Sequence, residues 1–187
     1  MLADRTLDLV LRDRTRFGWG AIDALPGLVR EAGGDRAFVV TDRGVVASGV
    51  AEHVRRVLAA DGIEVAVFDG VDPNPGTSTI ERGSAALRSF GLARTAVVPV
   101  GGGSAMDTAK AVSLHAANDA GLWDLGYDDP ALVPGRPIVA VPTTAGTGAE
   151  TNSFGVITDE AAGRKSYVGH PSLLPVACVL EDRKSVV

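Results

Sequence analysis

The 187-residue chain has a single cysteine, Cys178, so no internal disulfide can form. In the apolar run V-A-C-V-L that cysteine reads as a small buried hydrophobe. A basic surplus is also missing: 18 Lys and Arg stand against 23 Asp and Glu, a net charge of −5. With a pI near 5.1, that balance argues against a nucleic-acid or membrane surface, and neither partner is expected. No apolar run approaches the ~20 residues of a membrane helix. The start, M-L-A-D-R-T-L-D, is charged from Asp4 onward and lacks a signal peptide's apolar core, which points to the cytoplasm. Metal motifs are missing too. His53, His115 and His170 share no ligand spacing, and neither H-E-x-x-H nor C-x-x-C occurs. No nucleophile stands beside an obvious base, so no catalytic and no metal-ligating residue is assigned to this chain.

Apolar residues make up 45% and charged residues 22%, ordinary values for a globular protein with a full core. Strand-length apolar runs alternate with amphipathic segments. R-A-F-V-V-T (36–41), I-E-V-A-V-F (63–68), T-A-V-V-P-V (95–100) and I-V-A-V-P (138–142) read as strands. Val46, Val50, Val54, Val57 and Leu58 fall at helical spacing in one segment that stops at Gly62. A second helix begins at Thr77 and runs to Phe90, and a third covers 105–118. This alternation predicts the α/β class: a Rossmann-like parallel sheet with helices on both faces. The last third reads differently. T-N-S-F-G-V-I-T-D and R-K-S-Y-V-G alternate about E-A-A-G as a β-hairpin, and V-A-C-V-L (176–180) is a final strand. No crossover helix follows that strand, so the fold reads as unfinished there.

Two glycine turns carry the functional signal. V-P-V-G-G-G-S-A-M-D-T-A-K places Gly101, Gly102 and Gly103 between a strand and a helix, where open α/β sheets bind ligands. Ser104 reads as the N-cap and Asp107 as its capping-box partner. The free N–H groups and positive dipole end there form an anion site that suits a pyrophosphate. The alternative is a turn that lets strand and helix pack closely. No P-loop is present, and Met106 stands where a G-x-G-x-x-G fingerprint needs its third glycine. Asp42, ending a strand in V-V-T-D-R-G, suits a ribose diol and repels a 2′-phosphate, although it equally reads as a helix cap. Asn74, in D-P-N-P, needs no ligand to explain it. Thr143, Thr144 and Thr147 line the second turn, V-P-T-T-A-G-T-G-A-E, while Arg164 and Lys165 read as hairpin charges.

V-T-D-R-G, D-P-N-P, G-G-G-S-A-M-D-T-A-K and V-P-T-T-A-G-T-G-A-E-T-N, in this order, resemble the iron-containing (group III) alcohol dehydrogenases. The resemblance runs from F-G-W-G-A-I-D-A-L-P to V-L-E-D. It implies a dinucleotide-binding domain over residues 1–182, with 183–187 a non-matching end, and a parent whose all-helical C-terminal domain is absent here. It places Asp42, Asn74, Gly101, Gly102, Gly103, Ser104, Asp107, Thr143, Thr144, Thr147, Val156 and Lys165 around NAD, preferred over NADP. The parent would be an oxidoreductase and homodimer, using Fe²⁺ or Zn²⁺ to polarise a small alcohol or aldehyde for hydride transfer. The fragment alone would be inactive. The alternatives are the same cradle in a maleylacetate reductase or a dehydroquinate-synthase-like relative, or a nucleotide-binding module without catalysis.

Overall fold

A computed structural model describes residues 14–127 and 129–181. The charged start and the non-matching end at 183–187 lie outside the described residues. The strands are β1 (Arg14–Gly18), β2 (Arg36–Val40), β3 (Glu64–Phe68), β4 (Thr95–Gly101), β5 (Val139–Pro142), β6 (Phe154–Asp159), β7 (Arg164–Gly169) and β8 (Ala177–Glu181). The α-helices are α1 (Leu25–Glu31), α2 (Arg43–Ala47), α3 (Val50–Ala60), α4 (Thr77–Phe90) and α5 (Gly103–Ala117). Six strands form one sheet in the order β1-β8-β5-β4-β2-β3, and every pair in it is parallel. β6 and β7 form a separate antiparallel hairpin.

Alternation along the strands builds two cores. Phe38, Val40 and Val97 face α4 and α5, meeting Ile80, Leu87, Ala109 and Val112. Ala37, Val39, Ala96, Val98 and Val100 face the other way, meeting Leu28, Val29, Val54 and Leu58 of α1 and α3. A strand buried on both faces reads as a continuous apolar run, as V-V-P-V does. The sheet has helices on both faces, as the pattern requires. Cys178 is 1% exposed, packed with Met106, Ala140 and Ala149.

The structure departs from the sequence pattern at two places. The segment expected as one helix over the valines is two, because Gly49 takes a left-handed conformation (φ 82°) between α2 and α3. β1, R-T-R-F-G, has no apolar alternation and lies exposed at the sheet edge beside β8. Between β5 and β8 the structure has the expected hairpin in place of a crossover α-helix. That hairpin packs on α5, which explains why α5 is buried on nearly all sides.

Candidate functional site

The chain runs from β2 to β3 on one side and then returns to place β4 on the other side of β2. This reversal opens a crevice at the carboxyl ends of β2 and β4, the place where open α/β sheets take ligands. A cleft of about 770 Å³ occupies it. Asp42 stands at one end, Gly102, Gly103 and Ser104 form the floor, and Thr143 and Thr144 rise from the far side. Residues spaced a hundred positions apart in sequence thus meet in one cavity.

The three glycines have different reasons. Gly101 has φ 151°, and a Cβ there would stand 2.8 Å from the Ala105 Cβ, so the fold itself excludes a side chain. Gly102 has φ −86°, which any residue adopts, yet its Cβ would point into the cleft 3.1 Å from Thr144 Oγ1. A Cβ on Gly103 would meet Thr147 at 3.6 Å. Packing therefore explains Gly101, whereas at Gly102 and Gly103 an added side chain would narrow the cleft. Gly102 is also the N-cap of α5, in place of the expected Ser104, which lies inside the first turn. Gly102 offers no side chain to cap α5, and the first residues of that helix, Gly103, Ser104 and Ala105, line the cleft.

Asp107 does not close a capping box either. Its carboxylate accepts from the Val156 backbone N–H, and burial pushes its pKa up despite that bond and the nearby Lys110 and Lys165 charges. Asp42 does cap a helix: Oδ1 accepts from the Val45 N–H at 2.9 Å. Its other oxygen faces the glycine turn, 3.6 Å from a Cβ built on Gly101. The cap and the ribose-contact readings of Asp42 are compatible, each using a different oxygen.

Asn74, Gly101, Asp107, Thr147, Val156 and Lys165 stand outside the lining of this cleft. Asn74 holds a left-handed backbone (φ 54°) and its Oδ1 accepts from Lys165 Nζ at 2.8 Å. That bond, with the Thr158 N–H donating to Pro75 O at 2.8 Å, docks the hairpin on the D-P-N-P loop. Glu160 in the hairpin turn accepts from the Ser78 N–H and hydroxyl at 3.0 and 2.9 Å, capping α4 from outside the helix. Sequence reasoning missed these anchors, as it missed Arg43, Asp72 and Arg82 along the cleft. The Thr79 hydroxyl and then Arg82 hold the Asp72 carboxyl below its usual range.

The histidines lie apart. His115 Nδ1 pairs with Ser84 Oγ at 2.9 Å, and His170 caps a short 3₁₀ turn through the Ser172 N–H. His53 lies in α3 beside a second cavity of about 670 Å³. Among the described residues, no group of three or more His, Cys, Asp or Glu could hold a metal ion. Among them, too, no helix is long and apolar enough to cross a membrane.

Comparison with known proteins agrees with the geometry. The family model described as iron-containing alcohol dehydrogenase matches residues 13–182. The lactaldehyde reductase of Escherichia coli (strain K12) is 35% identical over 175 residues, covering 92% of this chain and 45% of that protein. An NAD-dependent methanol dehydrogenase of Bacillus methanolicus is 34% identical over 170 residues, covering 91% and 44%. The crystal structure of sulfoacetaldehyde reductase from Bifidobacterium kashiwanohense, in complex with NAD⁺, superposes with a TM-score of 0.82 at 28% identity, covering 95% and 46%. The chain spans about half the length of the curated relatives it matches.

Proposed function

The chain belongs to the iron-containing alcohol dehydrogenase family, and from that premise we propose that the β2–β4 crevice binds NAD(H). On this reading residues 1–182 are the dinucleotide-binding part of a dehydrogenase acting on a small alcohol or aldehyde. The observation that carries it is the Gly102–Gly103 floor, where an added Cβ would project toward Thr144 and Thr147. A pyrophosphate laid on that floor meets the N–H groups of Gly103 and Ser104 and the positive end of α5. Asp42 accepts a ribose diol through the oxygen left over from its cap, and its charge opposes a 2′-phosphate. Thr143 and Thr144 supply hydroxyls along the opposite wall. Bound NAD⁺ supplies the hydride acceptor for oxidising an alcohol.

Among the described residues, none forms a donor set for iron or zinc. What these residues do is bind and orient: the glycine turn holds phosphate, Asp42 selects the ribose, and Thr143 and Thr144 wall the cleft. The test is calorimetric titration of the chain with NAD⁺ and NADP⁺. One saturable site that prefers NAD⁺ supports the reading; no saturable heat with either nucleotide overturns it.

A further inference from the structure

Lys110 is 1% exposed, one of the largest wholly buried side chains in the protein. A lysine is almost never buried unless its charge is met by partners. Here all three ammonium hydrogens have one: Nζ donates to Ala149 O at 2.5 Å, Phe154 O at 2.8 Å and Asn152 Oδ1 at 2.9 Å. All three acceptors belong to one segment, 149–154, which runs from the Thr143–Thr147 turn into the first strand of the hairpin. Asp107, one helical turn earlier, holds the Val156 N–H of the same segment. Between these attachments the segment touches the helix itself, since a Cβ on Gly155 would lie 2.7 Å from Asp107 O. The helix whose first turn is the cleft floor is thus tied to the chain that continues from the cleft's far wall.

We infer that Lys110 is a positioning residue for the nucleotide cleft, setting the width between the Gly102–Gly103 floor and the Thr143–Thr144 wall. Lys110 stands about two turns along α5 from Gly103, too far to touch a ligand on that floor. It acts through Ala149, Asn152 and Phe154. This inference rests on the dinucleotide reading above. A neutral amine has only two hydrogens and cannot serve three acceptors, so the clamp needs the ammonium form. Burial pushes the Lys110 pKa down to about 8, against the pull of Asp107 and Glu150. The groups facing it are Asp107 on α5, Glu150 and Asn152 on the clamped segment, and Lys165 on β7 beyond Asp107.

The experiment measures NAD⁺ affinity of the wild-type chain, Lys110→Met, Asn152→Ala and the double variant, between pH 7 and 9. Wild-type affinity should fall as pH climbs past about 8. Lys110→Met should bind about tenfold more weakly at pH 7 and show no such fall, and Asn152→Ala should lie between. The double variant should lose little beyond Lys110→Met, because both changes break one contact. A purely structural lysine would lower the melting temperature and leave the affinity of the folded protein and its pH profile unchanged. Wild-type affinity in Lys110→Met would overturn the inference. Should that variant not fold, unchanged affinity in Asn152→Ala, which keeps the lysine, would overturn it equally. No binding by the wild-type chain would instead refute the dinucleotide reading itself.

Discussion

Two adjacent glycines should respond oppositely to the same methyl group. Gly101→Ala forces an L-residue into φ 151° with its Cβ 2.8 Å from the Ala105 Cβ, where both atoms belong to rigid elements. Strain of this kind costs about 1–3 kcal/mol, which for a domain of this size lowers Tm by about 2–12 °C. Gly102→Ala meets no backbone barrier, since φ is −86°. Its only close contact is Thr144 Oγ1 at 3.1 Å, a hydroxyl that can rotate away. Stability should therefore stay within about 0.5 kcal/mol of wild type. The same methyl projects into the space proposed for the pyrophosphate and should weaken NAD⁺ binding by about 1–3 kcal/mol, roughly 5- to 150-fold in Kd. Thermal unfolding and calorimetry on both variants separate the two effects. A Gly102→Ala protein that melts as low as Gly101→Ala, or that binds NAD⁺ as tightly as wild type, would refute this assignment of the two glycines.

Asp42→Asn keeps an acceptor for the Val45 N–H while removing the charge, so it should fold normally and narrow the NAD⁺-over-NADP⁺ preference by about tenfold. Parallel titrations with the two nucleotides check this, and an unchanged ratio would remove Asp42 from the specificity role. His115 is held below its ordinary pKa by burial first and then by the nearby Arg88 charge. The unfolded chain therefore binds a proton that the folded chain refuses below pH ~6.5, and stability, full above that value, falls as pH drops through it. Urea unfolding at pH 7.5, 6.5 and 5.5 should show that loss, with a flatter dependence in His115→Gln.

What could be read from the residues was local. The runs ending at Val40 and Gly101 became central strands because β-branched, two-face-buried segments admit few other structures, while the run ending at Phe68 forms the half-buried edge beside β2. The hairpin about E-A-A-G followed from its alternation on either side. β1 was illegible because an exposed edge strand has no apolar face to display. The break at Ser48–Gly49 was hidden by valines that keep helical spacing across it. Within the site, Asp42 and the glycine turn stood out because a strand end and a helix start are both sequence signals. Lys110 did not. A lysine on a helix ordinarily reads as solvated, and what buries this one is a segment some forty residues later. Its neighbours A-K-A-V, without another charge, and Asp107 three residues before were the available hint. Ser104 resembled an N-cap by type, yet the helix begins two residues earlier because Gly102 already adopts the extended conformation a cap needs.

The most direct test of the central claim is an amide NMR titration of isotopically labelled chain with NAD⁺. If the β2–β4 crevice is the nucleotide site, the resonances of Gly102, Gly103, Ser104 and Thr144 shift first and saturate with a single Kd. The carboxylate end at Asp42 follows the same curve. Saturable shifts confined to other surfaces, with these amides unmoved, would contradict the account.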